Sequence, residues 1–192
     1  MNFKDRPLSW SAISSFQFSK DQWYKKYILK QEQPESKEMA FGKKVADSFQ
    51  TKNPLAPVIL YPVVEQKLSV VFNYIPLTGY IDTYEPATHN FREFKTGKKA
   101  WDQKRANEHG QLAFYALCLY IIHKIPPKKY TIHLDWLPTQ ENGDFSISFV
   151  EPLRIQSFQV KLTMADILNF GTTINKTVKA MEEYVALMGQ IS

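Results

Sequence analysis

Three residues on two short segments of this sequence could share one piece of chemistry. In Glu93-Phe94-Lys95, strand alternation puts Glu93 and Lys95 on one face and Phe94 on the other. The segment before it ends in Gly79-Tyr80-Ile81-Asp82. If the two segments pair as neighbouring strands, Asp82 lies beside Glu93. Two carboxylates that close repel each other, a divalent cation resolves the repulsion, and oxygen donors suit Mg²⁺ or Mn²⁺. Such an ion polarises a phosphoryl oxygen and lowers the pKa of a bound water, which is what phosphodiester hydrolysis needs. Lys95 can orient that water, help deprotonate it, or stabilise charge developing on phosphorus. Gln111 and Tyr115 stand four apart, so on a helix they share a face, where they can hold a phosphate or orient the lysine. Alone, Glu-x-Lys is most often a solvated surface pair, and Gln with Tyr at helical spacing is most often a helix rim. The ordered combination is what points to a site.

These residues need elements to carry them. Leu8-Ser9-Trp10-Ser11 offers two serines as helix N-caps, and Ile13, Phe16, Trp23 and Tyr27 follow at roughly helical spacing. Pro34 marks a connector, a second helix is expected over about 38–50, and Pro54 and Pro57 end it. Strands are expected over 58–72, with Pro62 marking an edge or a break, and over 77–84 and 90–96. A helix over 104–122 stops at Pro126-Pro127. A strand over 130–137, a turn at Glu141-Asn142-Gly143-Asp144 and a return strand over 145–150 follow. Thr163 and Asp166 resemble a capping box, with Asp for the usual Glu, opening a last helix with Ile167, Phe170, Ile174, Val178, Met181 and Val185 on one face. The expected organisation is one α/β domain over 1–192: N-terminal helices 8–50, a catalytic core 58–150 with a mixed central sheet flanked by helices, and a C-terminal helix 163–188.

Composition removes several classes. A chain of 192 residues is the size of one ordinary domain. Its single cysteine, Cys118, excludes an internal disulfide and any cysteine-based zinc or iron–sulfur site within one chain. A lone thiol fits a reducing, cytoplasmic setting. The stretch 112–122 is too short for a bilayer, which needs about 20 apolar residues, and 1–7 is polar with no apolar segment of a secretory signal after it. No membrane partner is expected. The net charge of +5 permits an anionic partner without requiring one. The 14% aromatic content serves either a core or base stacking. No Gly-x-x-x-x-Gly-Lys-Ser/Thr loop is present, so ATP-driven unwinding would fall to a helicase or recombination partner chain.

The combination resembles the RecB-type branch of the PD-(D/E)xK nuclease superfamily. The resemblance rests on Leu8-Ser9-Trp10-Ser11, the aromatic-basic stretch Trp23-Tyr24-Lys25-Lys26-Tyr27, Phe41-Gly42, Gly79 to Asp82, Glu93 to Lys95, Gln111 to Tyr115, and the Thr163, Asp166, Ile167 helix start, all in the family order. It implies a restriction-endonuclease-like αβββαβ core. It makes Asp82, Glu93 and the backbone carbonyl of Phe94 metal ligands, Lys95 the catalytic lysine, and Gln111 and Tyr115 its supporting motif. Many members carry a metal-binding histidine in a Gly-x-x-x-His pattern, where this chain has Gly42 and then Ala46. Asp47, next along and turned about 100° around the helix, is either a substitute ligand or a surface residue. His89, His109, His123 and His133 offer no obvious replacement. Glu65, at a place where relatives often carry Glu, approaches the metal or substrate or pairs with a lysine. Ser19 stands where iron–sulfur relatives have their first cluster cysteine, so no cluster is implied.

Lys98, Lys99, Lys104 and Arg105 cluster after the Glu-x-Lys strand, and Lys43 and Lys44 open the second helix. Such a rim suits a phosphate backbone, though each lysine singly also suits a solvated face. Trp101 either stacks on a base or caps the core. The expected function is a Mg²⁺- or Mn²⁺-dependent deoxyribonuclease, in exonuclease mode, on single- or double-stranded DNA. The alternative is a weakly active or inactive nuclease-fold module that binds nucleic acid or a protein.

Overall fold

A computed structural model of the chain describes residues 7–51 and 53–191, so the polar segment read at the N-terminus lies, up to residue 6, outside the described residues. Ser9 caps α1 (Trp10–Phe18), its Oγ accepting from the Ala12 N–H. The helix expected to continue through Tyr27 breaks instead at Ser19, whose extended backbone closes α1 and whose Oγ accepts from Gln22 N–H to start α2 (Lys20–Trp23). That short helix runs on as a π-helical turn, Tyr24–Ile28. Ser36 caps α3 (Lys37–Phe49).

Among the described residues the sheet has six strands. β1 (Val63–Phe72), β2 (Ile75–Glu85) and β3 (Asn90–Gly97) form an antiparallel meander. A crossover follows the meander: α4 (Gln103–Asn107) and α5 (Gly110–His123) carry the chain back so that β4 (Ile132–Glu141) lies parallel to β3. β5 (Ile147–Phe149) and β6 (Gln156–Val160) both pair antiparallel with β4, and α6 (Met164–Ile191) closes the chain. This is a mixed α/β sheet flanked by helices, in the αβββαβ order expected.

Several boundaries depart from the sequence expectation. Residues 58–62 precede the first strand, because Tyr61 N–H bonds to the Thr83 hydroxyl rather than to a strand and Pro62 has no N–H to give. The helix expected over 104–122 is two helices, since Asp102 caps α4 and the backbone of His109 is extended. β6 lies outside the 58–150 core boundary yet adds to the sheet. The last helix runs to Ile191 rather than 188, and its Thr163–Asp166 pair does cap it: Thr163 N–H donates to the Asp166 carboxylate and Asp166 N–H to the Thr163 hydroxyl.

Two cores lie on opposite faces of the sheet. The larger packs α1, α5 and α6 against residues such as Leu68, Leu77, Ile81, Phe91, Ile132 and Leu134. The smaller consists of Val45, Phe49, Ala56, Phe94 and Leu137, under α3. Cys118 is buried in the larger one, and burial pushes its thiol up to about 12. A buried ion pair joins β3 to β4, with Arg92 Nη1 2.8 Å from Asp135 Oδ2.

Candidate active site

A defect in strand alternation builds the site. Ile81 and Tyr84 both belong to the larger core, although three residues apart on a strand should face opposite sides. The same slip occurs on β1, where Leu68 packs in the larger core and Val64 against the smaller. Between them Glu65, which drops out of the β1–β2 pairing together with Asp82, has a φ of 55°, the left-handed region that L residues rarely occupy. β2 and β3 pair over 83–85 against 90–92. Beyond that point Phe94 N–H donates to the Asp82 carboxylate at 2.7 Å. Asp82 is thereby drawn between the strands.

Glu93 and Lys95 share a face of β3, and Lys95 Nζ donates to Glu93 Oε1 and to Gln111 Oε1, both at 2.7 Å. Gln111 Nε2 donates to the Tyr115 hydroxyl at 2.7 Å, which in turn donates to the Tyr80 carbonyl. Gly79 is required here: a Cβ would stand 2.8 Å from the Tyr115 ring. The chain of bonds ties β3, α5 and β2 to one another through the lysine.

The electrostatics are strained in one direction. Burial, then the neighbouring Glu93, pushes Asp82 from 3.8 up to about 8, against the opposing pull of Lys95 and the Phe94 N–H. Burial also raises Glu93, with Lys95 opposing. Glu65 is raised by burial and by Asp82 and Asp47. Glu93 Oε2 is buried with no hydrogen-bond partner. A buried carboxylate oxygen left bare beside a second carboxylate is a costly arrangement unless a cation covers it. Among the described residues, no three His, Cys, Asp or Glu side chains are gathered closely enough to hold a metal ion by themselves.

Two clefts meet at this point. One, of about 670 Å³, runs along α1 and is lined by Trp10, Phe18, Tyr80, Asp82, Lys95, Gln111 and Tyr115 among others. The second, of about 450 Å³, runs under α3 past Lys43, Ala46, Asp82, Glu93, Phe94 and Lys95. Phe18 stands 84% exposed at the rim of the first.

The remaining sequence candidates are dispersed. Ala46 faces the second cleft; Asp47, exposed on α3, does not line it but is felt by Glu65. Lys44, Lys99 and Lys104 are exposed away from both clefts. Lys98 is held by Glu141 at 2.6 Å and Glu38 at 3.6 Å. Arg105 lies 3.9 Å over the Trp101 ring and donates to the carbonyls of Lys99 and Ala100, so the tryptophan is half-buried with one face covered. The sequence reading weighed His109 only as a metal ligand and set it aside. Its Nε2 lies 3.3 Å from Gln111 Oε1, and the only signal for it was its place two residues before the glutamine.

No protein-family model matches the chain, and no curated protein matches it by sequence. Solved structures do. A candidate exonuclease from Eubacterium rectale superposes with a TM-score of 0.63 over 94% of this chain and 83% of its own, at 10% identity. A phage-related exonuclease from Haemophilus somnus 129PT superposes with a TM-score of 0.50 over 95% and 83%, at 12% identity. At these identities the likeness is one of fold. Among the described residues, no helix is long and apolar enough to cross a membrane.

Proposed function

We propose that this protein is a divalent-metal-dependent nuclease of the RecB type that hydrolyses phosphodiester bonds in DNA, acting at ends. One observation carries the reading. The bare, buried Oε2 of Glu93 lies beside the raised carboxylate of Asp82, while its other oxygen is taken by the one lysine that Gln111 also holds. Exonuclease-named proteins of the same fold support it.

The donor set fits Mg²⁺ or Mn²⁺, which take carboxylate and carbonyl oxygens. Asp82, Glu93 and the Phe94 carbonyl would hold the ion, with Glu65 near enough to raise the local negative charge. When bound, it supplies Lewis-acid polarisation of the scissile phosphate and acidification of a water. The chain's own residues do the rest. Lys95, whose Nζ has two acceptors and a third N–H free of them, presents positive charge where a phosphoryl oxygen gains negative charge. Gln111 and Tyr115 hold that ammonium in place. Lys43, on the wall of the same cleft, can meet a flanking phosphate.

The test is hydrolysis of linear DNA with Mg²⁺ or Mn²⁺ by wild type and by Asp82→Asn and Lys95→Met. Activity undiminished in both variants would sink the proposal. Ala46, at the place of the family histidine, favours a second reading, a module that binds nucleic acid or protein without cutting it. Calorimetry separates the two: DNA binding with no divalent-ion binding at Asp82 and Glu93 selects the module.

A further inference from the structure

We infer that His109 is a positioning residue that fixes the side chain of Gln111, and through it Lys95, from an aromatic clamp outside the motif residues. The inference rests on the assignment of Lys95 proposed above, but its geometry stands apart from it. Gln111 Oε1 accepts from Lys95, whose ammonium has no acceptor to offer in return. The amide must therefore turn its oxygen to this side, which agrees with Nε2 donating to Tyr115 on the other. His109 Nε2, 3.3 Å from that same oxygen, then fits only as an N–H donor. Burial, with the Lys95 and Arg105 cations, pushes the imidazole down to about 4, so it carries one proton at neutral pH and that proton belongs on Nε2.

The ring is gripped from one helix and one connecting segment. Trp10 of α1 meets it edge-on at 5.9 Å and Trp101 at 5.1 Å, and Arg105 backs Trp101. Gly110 lets Trp10 approach, since a Cβ there would stand 2.5 Å from the indole. The α4–α5 break, which leaves His109 extended, aims the ring into this slot. Tyr115 holds the amide nitrogen of Gln111 and the wedged imidazole holds its oxygen, so both ends of the amide are fixed where Lys95 meets it. Trp101 and Arg105 thus acquire a part in the site that needs no contact with nucleic acid.

The experiment compares His109→Phe, which keeps a ring in the slot but has no N–H, with His109→Gln, which restores a donor near the Nε2 place. Two readouts are taken on full-length protein. The first is steady-state hydrolysis of linear DNA in Mn²⁺. His109→Phe should lower kcat about tenfold with KM within about twofold, and His109→Gln should recover most of that loss. The second needs no activity: acetylation of Lys95 by a dilute anhydride, followed by mass spectrometry, should speed up several-fold in His109→Phe and stay near wild type in His109→Gln. Thermal melting confirms that each variant is folded. A His109→Phe protein with wild-type kcat and wild-type Lys95 acetylation overturns the inference, as does a His109→Gln protein as impaired as His109→Phe. If wild type cuts no DNA while the acetylation pattern holds, the nuclease proposal fails and the positioning role stands.

Discussion

Asp82→Asn should stabilise the metal-free protein. Asp82 is pushed from 3.8 to about 8 by burial and by Glu93. At pH 7 the folded state therefore holds a proton that the unfolded chain has released. A raised carboxylate makes stability greatest at low pH and lets it drain away as pH climbs from about 4 to about 8. At 1.36 kcal/mol per unit, an unrelaxed site would cost about 4 kcal/mol at pH 7. Relaxation and the shared titration with Glu93 leave about 2 kcal/mol. Asparagine removes the charge yet keeps an oxygen for the Phe94 N–H, so the strand contact survives. For a chain of this size the gain corresponds to a Tm higher by about 4–8 °C. Urea unfolding in EDTA, from pH 4 to pH 9, reads it directly. The variant should match wild type near pH 4 and pull ahead as pH rises, and Mn²⁺ should reverse the order by stabilising only wild type. A gain independent of pH, or no gain at pH 8, would refute the reasoning.

Other perturbations separate chemistry from scaffold. Lys95→Met should lower kcat by at least about a hundredfold while Mn²⁺ affinity measured by calorimetry holds or rises, because a cation beside two carboxylates has gone. Ala46→His, which puts an imidazole on the wall shared by Asp82 and Glu93, should tighten Mn²⁺ binding roughly tenfold; unchanged affinity would mean that position 46 does not look onto the ion. Asp135→Ala strands the buried Arg92 guanidinium and should cost about 3–5 kcal/mol in urea unfolding.

Much of this was legible in advance. Strands 77–84 and 90–96, the turn within Glu141-Asn142-Gly143-Asp144 and the Thr163–Asp166 cap announce themselves through local rules: β-rich runs, turn residues and side-chain caps. The candidate site was legible as a set of residue types, because Gly79, Asp82, Glu93, Lys95, Gln111 and Tyr115 combine in order. What stayed hidden depends on contacts distant in sequence. Nothing local to Arg92 names Asp135, 43 residues on, as its partner. The left-handed backbone of Glu65 is imposed by two strands changing faces together, and no glycine marks it. The α4–α5 break was masked because the apolar run beginning at Leu112 dominates the helical signal, while Asp102 caps a separate turn upstream. The clamp on His109 became visible only once Trp10 had been folded back against it.

The smaller core has a consequence for motion. α3 forms one wall of the cleft under Asp82 and Glu93, yet only Val45, Ser48 and Phe49 of its thirteen residues are buried. The helix is held by a few aromatic and aliphatic contacts, notably Phe49 on Phe94 at 4.8 Å and Phe41 on Phe149 at 5.1 Å. By contrast α5 is buried along seven of its fourteen residues. Local opening free energy follows buried apolar contact. Amides of α3 should accordingly exchange with deuterium well before those of α5, without global unfolding. The less firmly held wall of the cleft is thus anchored through Phe49 to Phe94, on the far face of the very strand that carries Glu93 and Lys95.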